Sequence, residues 1–406
     1  MNAALQDFFA HRGDPIATAR AAVRAAPQSA AAHLVEASLL LCSRDRRDFE
    51  AAGWVYARLQ KLRLAPRETA HLGAIAAALD GDAVRAVALY DQILADDPQD
   101  LLALAVAQMY DYYLGRPEAQ LRRTLKTLRA WRRTLPGYHA VLAMYAYALQ
   151  ECGAYEEAEA AAYRALALQP HDVRAHHAVA HVMEMQGRLE EGMRWLGARS
   201  ALWNGAGGAS THLWWHIALY HVELGRPAQA LAIYDHRMQG DSLSEMIDAS
   251  ALLWRLHLSQ VDVGRRFHSL AARWAPHAED AYCAFNDLHA MMAFVGARRR
   301  DCADRLLAAL ERRVARPGGA NHDMTRLVGL PAARALAAFG RGDYAAAAQL
   351  LRALPPVAHR IGGSHAQRDV LYLTRAAALS RRDAAYASRR DASYGSRSDA
   401  VLRHAA

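Results

Sequence analysis

Between Arg67 and Tyr234 the chain alternates short apolar stripes with charged positions, and the alternation itself repeats. Gly81, Gly115, Gly153, Gly187 and Gly225 follow one another at gaps of 34, 38, 34 and 38 residues. Five residues after Gly153 stands Ala158, with Ala165 after twelve and Pro170 after seventeen; after Gly81 the same places hold Ala86, Ile93 and Pro98. Gly342-Asp343-Tyr344 with Ala347 opens the same pattern once more. Each unit predicts two helices. The Gly ends the first in a conformation other residues resist. The small Ala residues let the pair approach closely, and the Pro stops the second helix. A single pair leaves its apolar stripe open, so neighbouring units must stack.

This period and punctuation resemble the tetratricopeptide repeat, a 34-residue helix–turn–helix unit. The expected fold is all-α, a tetratricopeptide-repeat-like α-solenoid in which antiparallel helix pairs build a superhelix. Arg12-Gly13-Asp14 and Pro27 match the pattern only in part, and Asp241–Leu354 reads as irregular units. One solenoid is expected over residues 1–380. Arg381–Ala406 is rich in Ser, Arg and Asp without an apolar stripe, and is expected to be a flexible tail.

Composition changes this picture little. The formal net charge is +8, but the Arg residues alternate with Asp and Glu along the helices, the pattern of a solvated face, so no nucleic-acid partner is expected. Cys42, Cys152, Cys283 and Cys302 are far apart and form no CxxC pair, which argues against a disulfide framework and a thiolate zinc site. The N-terminus lacks the basic start and apolar run of a signal peptide, and no stretch is apolar for long enough to span a membrane. A cytoplasmic protein without a membrane partner is expected.

Histidine changes it more. The chain has 20, and twelve lie between His171 and His289. If Gly187 closes an inner helix as Gly153 does, then Arg174, His177, His181 and Glu184 face the concave groove. His177 and His181 are four apart, and one turn later comes Glu184. The next inner helix offers His212 and His216, again four apart, with Trp215 between them. Four imidazoles and a carboxylate thus converge. Three chemistries suit such a set: a divalent metal such as zinc on His177, His181, His212 and His216; metal-free acid–base work by histidine near neutral pH; or tight binding of an anion. Ala178 stands where the HExxH glutamate of zinc proteases would be, so that motif is absent. Asp287 and His289 sit two apart at a helix start. His365, Arg368 and Asp369 share one face of a helix that Ser364 can cap after Gly362-Gly363.

Together, His177–Leu196, His212–Gly225, Ala230–Asp235, Phe285–His289 and Ile361–Val370 resemble the family of tetratricopeptide repeat protein 38, over about Asp100–Leu379. The resemblance marks His177, His181, Glu184, His212, Trp215, His216, Asp287, His289, His365, Arg368 and Asp369 as that family's recurring polar positions; it implies no settled reaction. The expected function is small-molecule binding in the concave groove, as an enzyme doing acid–base or metal-assisted hydrolysis. His177 or His181 would be base or ligand, Glu184, Asp287 and Asp369 would orient the histidines, and Trp215, His365 and Arg368 would contact the substrate. The rival is a repeat scaffold that binds peptide segments or protein partners, because fold alone does not give function.

Overall fold

The computed structural model describes residues 5, 7–8, 13–205 and 207–403, with side chains as far as 384. No strand occurs among them. Helices run in antiparallel pairs: Pro66–Leu79 with Ala83–Asp96, Leu101–Tyr113 with Pro117–Leu128, Tyr138–Glu151 with Tyr155–Leu168, Val173–Met185 with Leu189–Ala198, and Gly208–Glu223 with Pro227–Arg237. The turns within these pairs fall on Gly81, Gly115, Gly153, Gly187 and Gly225, all with φ between +64° and +80°. The residue after each glycine donates its N–H to a carbonyl five residues back, as Arg188 does to Met183 at 2.8 Å and Arg226 to His221 at 2.8 Å. That bond satisfies a carbonyl the helix end would leave open. The chain is thus an α-solenoid of the expected kind.

The irregular units obey the same geometry with other residues at the turn. Ala30–Leu41 and Arg46–Leu59 meet at Arg44 (φ +61°), Leu243–Leu258 and Arg266–Trp274 at Gln260 (φ +61°), and Ala284–Gly296 and Arg300–Val314 at Arg298 (φ +56°). These pairs lack the glycine, not the fold. Several histidines tie successive units together. His71 Nε2 lies 2.8 Å from Asp100, and His139 Nδ1 lies 2.6 Å from Asp172. Each of these aspartates caps the next inner helix through a backbone N–H.

The superhelix closes on itself. The Ala320 N–H donates to Gly81 O at 3.1 Å, the Asn286 amide to Arg44 O at 3.0 Å, and the Phe49 and Tyr282 rings meet at 5.2 Å. Inner helices are therefore covered on both sides, and Leu101–Tyr113 and Ala284–Gly296 are apolar and buried nearly all round. The last helix, His365–Arg403, lies against Val173–Met185, Leu243–Leu258 and Leu330–Gly340. Its approach depends on Gly362 and Gly363, with φ +78° and +81°: a Cβ on either would sit 2.7 Å from Tyr113 O or 2.5 Å from the Phe285 ring. Ser364 does not cap this helix through its hydroxyl, which is buried without a partner. Instead the Gln367 side chain accepts the Ser364 N–H at 3.0 Å and the Tyr112 hydroxyl at 2.7 Å. The helix runs on past residue 381 without a boundary, and the expected flexible tail falls largely on residues whose side chains lie outside the described set.

Candidate functional site: four converging histidines

Val173–Met185 and Gly208–Glu223 are adjacent inner helices, so their i,i+4 histidine pairs face each other. The four side chains each offer one nitrogen, and these nitrogens all lie within 4.8 Å of one another. His177 and His181 approach Nε2 to Nε2 at 2.8 Å. Ring centroids are 4.7 Å apart for His177 and His212, 4.5 Å for His181 and His216, and 5.2 Å for His177 and His216. Among the described residues this is the one such group of three or more metal-competent side chains.

Two carboxylates aim the rings. Both Asp248 oxygens lie 2.9 Å from His212 Nδ1, and Glu184 Oε2 lies 2.6 Å from His216 Nδ1. His212 donates Nδ1–H to Asp248, which leaves its Nε2 lone pair directed into the cluster, and the Glu184 carboxyl holds the His216 ring by its Nδ1 edge. His216 Nε2 is buried with no partner there. Burial drives His181 and His216 well below the ordinary histidine range, and each is lowered further by the neighbouring imidazoles. Burial pushes Glu184 up to about 8; Asp369 raises it too, against Arg255 and His212. Burial thus favours the neutral imidazole at His181 and His216. One side is open: the His212 side chain is 20% exposed while that of His216 is 0%.

A metal fits this set. At metal–nitrogen distances of about 2.0–2.1 Å, ligand nitrogens stand about 2.9 Å apart when cis in a square or octahedral set, and about 3.3 Å apart in a tetrahedral one. The observed spread brackets both, so small ring rotations suffice. Imidazole ligands suit zinc, copper, iron and nickel.

The other expected residues divide. Glu184 does join the cluster, through His216. Trp215 is fully buried; it stacks on His212 (5.1 Å, 14°), with the Arg255 guanidinium 5.5 Å from its ring, so it backs the His212 ring from inside the core. His365 and Arg368 come close enough to lower His181, yet their bonds go to Glu151: His365 Nε2 to its carbonyl at 3.1 Å, Arg368 to its carboxylate at 3.5 Å. Asp369 pairs with Arg255 and orients no histidine. Asp287 is turned away from the cluster, lining a small cavity with Arg44, His277 and Cys283. His289 is buried and bonded to Phe285 O at 2.7 Å; burial lowers it to about 3. The structure does not bring the last two to the cluster: Ala284–Gly296 is buried nearly all round, with Asn286 bonded to Arg44 O and His289 to Phe285 O.

Two residues of the site were not anticipated. Asp248 stands 36 residues after His212, and Tyr147, stacked on His177 at 5.5 Å and edge-on to His181 at 5.7 Å, stands 34 before His181. Both lie one repeat away, where the period places neighbouring inner helices side by side.

No family model matches the chain. A chain in the crystal structure of the APC/C hetero-tetramer Cut9–Hcn1 is similar to it, with 11% identity and a TM-score of 0.39. The match covers 84% of this chain, which spans 62% of that one. Among the described residues no helix is long and apolar enough to cross a membrane.

Proposed function

We propose that this protein holds a divalent transition metal, of the zinc class, on His177, His181, His212 and His216, and presents it to a small molecule in the concave groove. One observation carries the reading: four imidazoles converge, and two are fixed from behind by carboxylates on Nδ1. A histidine packed for stability alone has no need of an orienting carboxylate and an unpartnered nitrogen opposite it. The exposed edge at His212 leaves room for water or substrate beside the metal. Metal-assisted hydrolysis is the reaction class that suits such a site, with the metal supplying an activated water when bound. The chain's own part is to orient the ligands, through Asp248 and Glu184, and to exclude bulk water with the His365–Arg403 helix.

The histidine strings also support placing the chain with the tetratricopeptide repeat protein 38 family, as one solenoid over residues 1–380. Four free cysteines agree with a reducing, cytoplasmic setting. Metal analysis of the purified full-length protein tests the site: about one metal per chain is expected, falling to a small fraction in His181→Ala and His216→Ala. Equal metal content in wild type and both variants would sink it. The solenoid favours a second reading, an interaction scaffold, and its specific support is Trp54, 79% exposed on an outer helix. That surface and the histidine site do not exclude each other.

A further inference from the structure

Two guanidiniums lie within electrostatic reach of the cluster histidines, and both have carboxylates. Arg368 pairs with Glu151 and Arg255 with Asp369. Arg174 and Arg44 make no ion pair among the described residues. Arg174 stands three residues before His177 on the same helix, and its Nε and Nη2 are buried without a hydrogen-bond partner. Arg44 lies 4.7 Å from the Tyr113 ring, 4.9 Å from Phe285 and 5.9 Å from Tyr112, caged by aromatic faces. Tyr113 is within electrostatic reach of both guanidiniums. Tyr147, in reach of Arg174, is also the ring stacked on His177. Tyr113 and Tyr147 thus link the two cations to the histidine cluster along one aromatic wall.

Leaving a buried guanidinium without an anion costs free energy that aromatic faces offset only in part. Arg44 adds a second cost, since it occupies a left-handed turn position that glycine fills in six other units. What it offers there, and glycine cannot, is the guanidinium. We infer that Arg174 and Arg44 form an oxyanion subsite, which binds the carboxylate or phosphoryl group of a small molecule whose flat apolar body lies between Tyr112, Tyr113 and Tyr147, with its other end toward the histidines. Guanidinium offers paired donors that match both oxyanions. An anion between two cations also supplies the charge the site lacks: Glu151 and Asp369 are already paired, and Asp248 is committed to His212. The part of this inference that orients the ligand's far end rests on the metal reading; the arginine end stands without it.

Calorimetric titration of the full-length protein with phenylphosphonate, with and without prior zinc loading, tests it. Wild type is expected to bind in both forms. Arg174→Met should weaken binding tenfold to a hundredfold, the usual effect of losing a charge-assisted hydrogen bond. Arg44→Gly should weaken it similarly while folding at least as stably, because it relieves the turn. Zinc content should be unchanged in both variants. A double variant with wild-type affinity, or a wild type that does not bind at millimolar probe, overturns the subsite. If zinc is not retained but metal-free protein binds the probe through its arginines, the metal reading fails and the subsite stands. If zinc is retained and the arginine variants bind as wild type, the reverse holds.

Discussion

Asp248→Asn separates a metal site from a histidine cluster that only packs. The carboxylate is buried, and both oxygens sit 2.9 Å from His212 Nδ1. Asn keeps the shape and can still accept a hydrogen bond through its amide oxygen, so the fold loses little. It removes the negative charge that makes His212 a better donor to a cation. Losing such an outer partner weakens metal affinity about 10- to 100-fold, which is about 1.4 to 2.7 kcal/mol. Linkage gives the readout. At free metal a hundredfold above the wild-type Kd, wild type gains about 2.7 kcal/mol of stability. The variant, at the same concentration, gains only about 1.4 kcal/mol if its Kd is tenfold higher, or about 0.4 if it is a hundredfold higher. Thermal melts with and without zinc, with His257→Gln as a control away from the cluster, measure this. Equal zinc-induced shifts in Asp248→Asn and wild type would refute the reasoning, as would a wild type whose melting is indifferent to zinc. The metal-free melting temperatures of the two should agree closely, because the change is nearly isosteric.

Three further expectations follow from the fold. Arg298→Gly places glycine at an exposed left-handed turn (φ +56°) and should stabilise the protein by about 1 kcal/mol, less a few tenths for added freedom in the unfolded chain, as read by urea unfolding. Asp287 is held well above the ordinary carboxylate range by burial. Its folded pKa exceeds its unfolded one, so its contribution is intact at acid pH and declines as pH rises through that window. Asp287→Asn should therefore stabilise at pH 7, with a gain that vanishes near pH 4 and grows by at most about 1.4 kcal/mol per pH unit between; a gain flat with pH would assign it to packing. Arg368→Ala leaves the buried Glu151 carboxylate short of its cation and frees Gly363 O. It should lower stability by about 3 kcal/mol in chemical denaturation, in place of the neutral effect expected of a residue that only holds substrate.

How much of this the sequence carried follows from what each signal is made of. Gly81 to Gly225 mark units because glycine is the cheapest residue in a left-handed turn, and five of them in register cannot be missed. Arg44, Gln260 and Arg298 hold the same dihedral angles without announcing it, so the units on either side of that run read as irregular although their helices pair in the same way. The histidine cluster was legible because each half lies within one helix, where a four-residue spacing fixes a shared face. Asp248 was not, because no spacing rule within a helix reaches a residue 36 positions away. It becomes legible once the period is taken as a ruler: Glu184 precedes His216 by 32 residues, Tyr147 precedes His181 by 34, and Asp248 follows His212 by 36. In a solenoid, residues one period apart are neighbours on the inner surface. The polar string at Ile361–Asp369 brought His365 and Arg368 near His181, as expected, but did not disclose their bonding partners. Density of charge along a helix start says that partners exist, not which side they are on, and here Arg368 and Asp369 found Glu151 and Arg255 before reaching any histidine. The arginines left without carboxylates, Arg44 and Arg174, stand 130 positions apart. Both still reach Tyr113, a proximity that the curvature of the superhelix sets and that is invisible to any reading made unit by unit.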